Sequence, residues 1–518
     1  MRRPMRGRGA LSRSGASDGP KPPRIAACVA KPSDLPMSGT PSRPTHHAVA
    51  AERKLTIMLW LVATGFFMQA LDTTIVNTAL PAMARSLGES ALRMQSVVIA
   101  YSLTMALMIP VSGFLADRFG TRRVFFSAIL IFTLGSLMCA NASALWQLVA
   151  SRVVQGVGGA MLLPVGRLAV LRSFPRERYL PALSFVAIPG LVGPLIGPTL
   201  GGWLTDVASW HWVFLINVPV GLAGCIATAL FMLGEPLDKV GRFDVKGYLL
   251  LAAAILALTL ALDGLAELRL AHALVLVLLV LAFACLTAYA LHATRSPHPL
   301  FSLELFHIHT FSVGLLGNLF ARIGSGAMPY LLPLLLQVSL GYTPFHAGLM
   351  MLPVAAAGMA SKRIVTTLIM RHGYRRVLLA NTVLLGATMA SFALMSPEQP
   401  LWIRLVQLAI FGSVNSMQFT AMNTLTLKDL GREGASSGNS LFSLVQMLSM
   451  SLGVTIAGAL LATFTALFGH NAPSQTLPAF HATFVCVGVI TALSAWIFGQ
   501  LAPDIRSPGR HDGDAETL

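Results

Sequence analysis

Charge is scarce in this sequence. Of 518 residues only 11% are charged, and acids are the rarer sign, 21 Asp and Glu against 37 Lys and Arg. A soluble globular chain carries about 25% charged residues, so a water-facing surface of ordinary proportions is excluded. Cysteine is scarce as well. Cys28, Cys139, Cys225, Cys285 and Cys486 stand singly, with no CxxC spacing. That pattern argues against a disulfide framework or a zinc site, and no bound metal is expected. A GxxxxGK[ST] loop is also lacking, so no nucleotide-driven step and no cofactor is expected.

What the chain has instead is apolar sequence in runs of helix-spanning length. With 55% hydrophobic residues and repeated segments of about 20 apolar residues, it reads as an all-α polytopic membrane protein. Fourteen spanners are predicted, over 56–80, 94–116, 124–142, 145–171, 180–205, 211–233, 246–265, 271–293, 309–337, 345–369, 376–395, 401–427, 435–466 and 479–502. Ahead of them, residues 1–54 hold eleven Lys or Arg, three acids and many Pro, Gly and Ser. Such a segment buries too little apolar surface to fold, so a disordered basic tail is expected. It has no apolar h-region of the kind a signal peptide carries.

Placing the charges excludes nucleic acid as the reason for the formal +16. The basic residues lie in alternate short loops: Arg118, Arg122 and Arg123; Arg172, Arg176 and Arg178; Lys239, Arg242 and Lys246; then Arg295, Arg371, Arg375, Arg376, Lys428 and Arg432. The opposite loops hold little beyond Arg85, Arg93 and Arg269. By the positive-inside rule the first set is cytoplasmic, and so are both termini. Trp146, Trp203, Trp210, Trp212 and Trp402 then fall near the outer interface, where an amphipathic indole is favoured.

One of those basic loops occurs twice. "DRFGTRR", Asp117 to Arg123, aligns with "MRHGYRR", Met370 to Arg376, in Arg, Gly, Arg and Arg. Each comes after the second helix of a six-helix block. The expected organisation is a tail, 1–54; a six-helix half, 55–234; two inserted helices, 235–308; a second six-helix half, 309–503; and a short cytoplasmic tail, 504–518. Two related halves of this kind place a substrate site at their interface near the midplane.

Several motifs carry a resemblance covering residues 56 to 502. "GFLADRFGTRR" (113–123), "LVASRVVQGVGGA" (148–160) and "GLVGPLIGPTLGG" (190–202) resemble, in order, the loop, helix-four and helix-five motifs of the major facilitator superfamily. "LDTTIVNTALP" (71–81) and "WHWVFLINVPVG" (210–221) are similar to sequences of its fourteen-spanner drug:proton antiporter family. "MNTLTLKDL" and "ASSGNSL" resemble multidrug resistance members. The second-half loop departs from the motif, with Met370 where the first half has Asp117.

The resemblance implies a proton-driven exporter of small molecules in the bacterial inner membrane, acting as a monomer without catalytic residues. Asp72, well inside the first helix, is the expected proton-coupling acid. A carboxylate at that depth costs roughly 2.5–3.5 kcal/mol, a cost relieved when it takes up a proton; satisfaction by the hydroxyls of Thr73 and Thr74 is the structural alternative. Arg152 stays charged, so if buried it needs a partner, and Asp72 or a backbone carbonyl is expected to supply one. Gly113, Asp117, Arg118, Gly120, Arg122 and Arg123 are implied as gating residues, with Asp117 paired to Arg122 or Arg123 and facing the helix that begins near Ser436. Gly190, Gly193, Gly197 and Gly201 share one helix face with Pro194 and Pro198 beside them, a face suited to close helix contact; in the family it seals one side of the path. Asn77, Arg322, Lys362 and Asn423 are candidate substrate contacts.

Lys362 and Arg363 either snorkel to the inner interface or, with Arg322, make the second-half wall cationic. A cationic wall favours a second reading, a proton-coupled exporter of an anionic metabolite such as citrate or a metal–citrate chelate. An intramembrane enzyme fits less well, since His292, His298, His307 and His309 sit in or beside one loop.

Overall fold

The computed structural model describes residues 46–174, 176–232, 243–266, 272–297, 299–430, 435–468 and 473–501. Outside them lie most of the basic tail, the C-terminal tail, Lys239, Arg242, Arg269, His298 and Arg432; the side chains of Arg363 and Ser436 are likewise not described. The chain divides into two units, 1–50 and 51–518, and the helical bundle belongs to the second.

Among the described residues every regular element is a helix. In order these are α1 (His46–Leu87), α2 (Gln95–Phe119), α3 (Thr121–Ala140), α4 (Leu145–Ser173), α5 (Arg176–Val207), α6 (Trp212–Phe231), α7 (Val245–Ala266) and α8 (His272–Arg295). Then come α9 (His309–Leu334), α10 (Pro344–Met350), α11 (Leu352–Ser391), α12 (Leu401–Lys428), α13 (Ala435–Phe468), α14 (Pro473–Leu493) and α15 (Ala495–Gly499). Helix occupies all fourteen expected spanning positions. Eleven segments are long and apolar enough on their own to cross a membrane, and the chain is a multi-pass membrane protein. One position that misses this measure is α12, and its polar residues explain why. Arg404, Gln407, Asn415, Gln418 and Asn423 dilute its hydropathy, but Arg404 and Gln418 are buried against other helices instead of meeting lipid.

Two spanners expected as separate helices, 345–369 and 376–395, share the element α11, which bends at Gly373 with φ +80°. Gly120, between α2 and α3, has φ +84°. These are the aligned glycines of the repeated loop, and both adopt the left-handed conformation that disfavours a side chain. A second pair obeys the same spacing. Gly88 after α1 (φ +67°) and Gly341 after α9 (φ +70°) are separated by the same 253 residues as Gly120 and Gly373. Both turns carry the tripeptide "SLG", a repeat as legible as the basic loop. These glycine pairs mark the two ends of the bundle, the Gly88/Gly341 end and the Gly120/Gly373 end.

Four of the five expected interfacial tryptophans are exposed, as an interface demands. Trp210 is not: it is 4% exposed and stacks on His211, with ring centroids 3.7 Å apart. Its indole packs the end of α6 against the core instead of meeting headgroups. The inserted helices are pinned at one end by Asp244, which accepts from His292 (2.7 Å), the Gly247 amide (2.9 Å) and the Leu300 amide (3.1 Å). Burial raises this carboxyl's pKa, but the three donors together hold it below the ordinary value.

The backbone signs give a direct test. Gly120→Ala and Gly373→Ala should each lower stability by about 1–2 kcal/mol, the cost of a left-handed non-glycine residue. Gly113→Ala should not, because a Cβ there meets nothing within 4 Å. Equal thermal melting of all three variants in detergent would remove the conformational argument.

Candidate functional site

Asp72 lies on α1 and is fully buried. Arg152, on α4, is 1% exposed and donates to Asp72 Oδ2 at 2.6 Å. The guanidinium also donates to the carbonyl of Val97 (3.3 Å) and to Gln155 Oε1 (2.6 Å), and it lies 3.9 Å from the centroid of the Tyr101 ring. Both partners expected for Arg152, an acid and a backbone carbonyl, are therefore present. The alternative for Asp72 fails. Thr73 and Thr74 donate to backbone carbonyls of their own helix, Gln69 for the first and Ala70 and Leu71 for the second.

Residues outside the expected set complete the cluster. Gln155 Nε2 donates to Asp72 Oδ1 (2.8 Å) and to Ser136 Oγ (2.8 Å), and Asn217 reaches both at 3.5 and 3.4 Å. Five helices thus converge on one ion pair: α1, α2, α3, α4 and α6. Asn217 belongs to "WHWVFLINVPVG", so a family-like motif did mark its neighbourhood; Tyr101 and Ser136 carry no local pattern that marks them.

Beside the pair is a small cavity of about 50 Å³, lined by Tyr101 and Arg152 and large enough for water. It shares Thr74, Asn77 and Pro329 with a larger cavity of about 320 Å³ between the two sets of six helices. The larger space is mostly apolar, from Met328, Leu332, Phe411 and Phe419, with Ser325, Lys362, Asn415 and Ser416 among its polar lining and no acid. Of the candidate substrate contacts, Asn77 and Lys362 line it directly. Asn77 Nδ2 is held by the Thr73 carbonyl (3.1 Å), leaving its buried Oδ1 without a protein partner. Asn423 also has a buried Oδ1 with no partner, but it does not line this cavity.

Arg322 is 6% exposed and stacks over Phe419, 4.4 Å from the ring centroid. Its hydrogen-bonding side-chain partner is Asn318 (3.3 Å), and its Nε is buried with no acceptor. Unlike Arg152, it has no carboxylate partner among the described residues. A further buried arginine, Arg404, is structural: it donates to Tyr342 (2.5 Å) and to the carbonyls of Ser396 and Pro397.

The helix-five glycines face two neighbours. A Cβ on Gly193, Gly197 or Gly201 would meet Leu71, Thr74 or Ile75 of α1. Gly190 has looser surroundings, its Cβ meeting only Phe66 at 3.9 Å. One turn further, α5 meets the second half. Thr199 donates to the Gly348 carbonyl (3.1 Å), Asp206 accepts from the Phe345 amide (2.9 Å), and Gln337 donates to the Thr78 carbonyl (2.9 Å). Pro194 and Pro198 line the larger cavity just below that contact. The Gly88/Gly341 end is closed across the two halves.

At the other end the pairing expected for Asp117 is corrected. Its carboxylate binds Arg172 at the end of α4 (2.7 Å), not Arg122 or Arg123. The reason is direction: Gly120 turns the chain, and Arg122 extends across to donate to the Ala229 carbonyl of α6. Arg118 packs its guanidinium 5.9 Å from the rings of Phe114 and Phe119, and Gly113 is on the exposed face of α2.

This geometry has relatives. A family profile described as Major Facilitator Superfamily matches residues 62–454. The chain belongs to the Major Facilitator Superfamily. It is 52% identical over 450 residues to the putative multidrug resistance protein MdtD of Serratia proteamaculans, covering 86% of this chain and 93% of that one. The MdtD protein of Pectobacterium atrosepticum is 51% identical over 446 residues, covering 86% and 96%. Two solved structures share the fold. One is a POT family transporter in complex with 5-aminolevulinic acid (TM-score 0.63, 17% identity, 86% and 95% covered). The other is an inward-facing, unoccupied bacterial homologue of the lysosomal transporter Spinster (TM-score 0.62, 15% identity, 86% and 96% covered). The chain is therefore a membrane transporter. Among the described residues no group of three or more His, Cys, Asp and Glu is placed to hold a metal.

Removing one member of a buried ion pair leaves the other uncompensated, at a cost of about 3–5 kcal/mol. Asp72→Asn and Arg152→Gln should each destabilise the solubilised protein by that order, and the double variant should recover most of the loss. Melting temperatures of the three variants read it out; additive losses would mean the pair is not a unit.

Proposed function

We propose that this protein is a proton-coupled exporter of small molecules, of the multidrug efflux type, working by alternating access between halves 55–234 and 309–503. The supporting observation is the buried Asp72–Arg152 pair one step from a cavity between the halves. Its membrane is the bacterial inner membrane, with both termini cytoplasmic, because the basic loops cluster at the Gly120/Gly373 end. The names of its MdtD relatives support the substrate breadth.

In this mechanism Asp72 takes up a proton through the small cavity beside Tyr101. The neutral acid no longer holds Arg152, whose charge then rests on Gln155, the Val97 carbonyl and the Tyr101 ring. Because α1 carries both Asp72 and Asn77, a shift of α1 on the glycine face of α5 alters the acid and the cavity wall together. Closure at the Gly88/Gly341 end leaves the cavity facing the cytoplasm, the state in which an exporter loads. No cofactor is required and one chain suffices.

A specific observation favours a second reading of the substrate. Two cations, Arg322 and Lys362, stand at or beside a cavity whose lining contains no acid. Attraction between unlike charges at 4 Å is worth about 4 kcal/mol at an effective dielectric of 20. An anionic or zwitterionic compound with an apolar body, which includes carboxylates such as citrate or its metal chelate, therefore fits this wall better than a lipophilic cation.

Proteoliposomes with an imposed pH gradient test both readings. The parent protein should move substrate and protons together, and the Asp72→Asn/Arg152→Gln double variant should move neither in a gradient-dependent way. Gradient-driven transport by that variant would end the coupling mechanism. Arg322→Gln and Lys362→Gln should each raise the KM for an anion about tenfold, the effect of about 1.4 kcal/mol, and spare a cationic dye. If both lose the dye and the parent moves no anion, the substrate is cationic.

A further inference from the structure

We propose that the groove at the Gly373 bend binds one anionic phospholipid from the bilayer. Its phosphate sits between Arg376 and His372, and an acyl chain lies along Leu384 and Met417. The groove has a volume of about 330 Å³ and is formed by both limbs of α11 and by α12. Gly373, in its left-handed conformation, turns the chain so that Leu368 on one limb and Val377 on the other face the same space. Its lining joins two basic side chains, His372 and Arg376, to the apolar Leu368, Val377, Ala380, Leu384 and Met417, a combination that suits a lipid better than a soluble anion.

The repeated loop carries different charges in the two halves. In the first half an acid occupies the motif: Asp117 pairs with Arg172, and Arg122 is spent on the Ala229 carbonyl. In the second half the aligned residue is Met370, which is 84% exposed. Among the described residues Arg371, His372 and Arg376 have neither an ion-pair nor a hydrogen-bond partner in the protein. Lys428 adds a further cation close by, 5.5 Å from the Tyr374 ring. Arg376 and His372, both exposed, are thus open to an anion from outside.

The position of the groove selects the bilayer as the source. Val383 and Leu384, 52% and 49% exposed, show that this face of α11 points out of the bundle; in a membrane-spanning chain that is the lipid-facing side. The groove shares no lining residue with the larger cavity between the halves. Asn381, at its floor, is already committed to the Val414 carbonyl (3.0 Å) and Gln418 (2.8 Å), so recognition falls to the basic mouth. Clusters of basic residues at the cytoplasmic ends of spanning helices attract anionic headgroups.

The test uses full-length Leu384→Trp protein reconstituted with brominated phosphatidylglycerol, brominated cardiolipin or brominated phosphatidylcholine, with fluorescence quenching above the native background as readout. Both anionic lipids should quench at a mole fraction at least about fivefold lower than phosphatidylcholine, the effect of one favourable charge contact. A reporter at Leu394→Trp, just beyond the C-terminal end of α11, should show no such preference. Adding Arg376→Gln or His372→Gln to Leu384→Trp should abolish it, while Arg376→Lys should keep it. Both side chains are exposed, so melting temperatures should not move. Equal quenching by the anionic lipids and phosphatidylcholine in Leu384→Trp overturns the proposal. So does a preference that survives the double Arg376→Gln/His372→Gln change.

Discussion

A carboxylate and a guanidinium withdrawn from water in the middle of an apolar bundle constrain everything around them. Either charge alone costs several kcal/mol to bury, and their mutual attraction offsets that cost only when the remaining donors and acceptors are also satisfied. In this chain α1 supplies Asp72 and α4 supplies Arg152 and Gln155, while α2, α3 and α6 supply a carbonyl, a hydroxyl and an amide. The five helices must therefore hold a common register. Close approach makes this achievable: a Cβ on Gly158 would meet the backbone of Phe132, so α3 and α4 pack nearly backbone to backbone. The pair is thus a structural keystone and also the group best placed to sense a proton, because protonating Asp72 alters all of these contacts at once.

The two halves share a backbone plan but not a charge plan. Four left-handed glycines at matched spacing mark the common plan. In the first half two arginines are paired with acids, in Asp72–Arg152 and Asp117–Arg172. In the second half Arg322 leans on an amide and an aromatic ring, and Arg376 faces outward without an acid. The proposed coupling pair thus lies in the first half. The other offers positive charge to ligands, at the cavity on one side and at the bilayer on the other.

Much of this was legible in the sequence, for a physical reason. Span lengths reflect the thickness of the bilayer, and the loop repeat reflects a turn that only glycine adopts easily, so both leave local traces. Asp72 and Arg152 could be singled out because an ionised side chain in an apolar helix stands against its surroundings. Their partners could not be ranked so easily. Ser136, Tyr101 and Asn217 are ordinary residues whose role depends on which helices meet, and helix adjacency has no local signature. Asp117 illustrates the limit: three arginines were within plausible reach, Arg122 and Arg123 by sequence and Arg172 only by packing. Trp210 shows the same thing in reverse, an interfacial residue type drawn into the core by a stacking neighbour.

The energetics of the closed end also fit a two-state device. Where the halves meet at the Gly88/Gly341 end, the polar contacts among the described residues include Thr199 to Gly348, the Phe345 amide to Asp206, Gln337 to Thr78 and, weakly, Tyr330 to Leu92, with no carboxylate–cation pair among these four. A net hydrogen bond contributes roughly 0.5–1.5 kcal/mol, so this seal is worth only a few kcal/mol beyond its packing. Moving a two-state equilibrium from 1:99 to 99:1 takes about 5.5 kcal/mol. A proton on Asp72 and a solute in the cavity can supply a difference of that size, whereas a seal built from buried ion pairs would outweigh it. Gly202 on α5 and Gly348 on α10 let the two backbones approach closely, within a buried apolar cluster that draws Ile75 and Ala79 from one half and Leu331 and Ala347 from the other. The weakness of that end and the strength of the Asp72 cluster therefore belong together: the cluster keeps its half rigid, and the weak seal lets the halves separate.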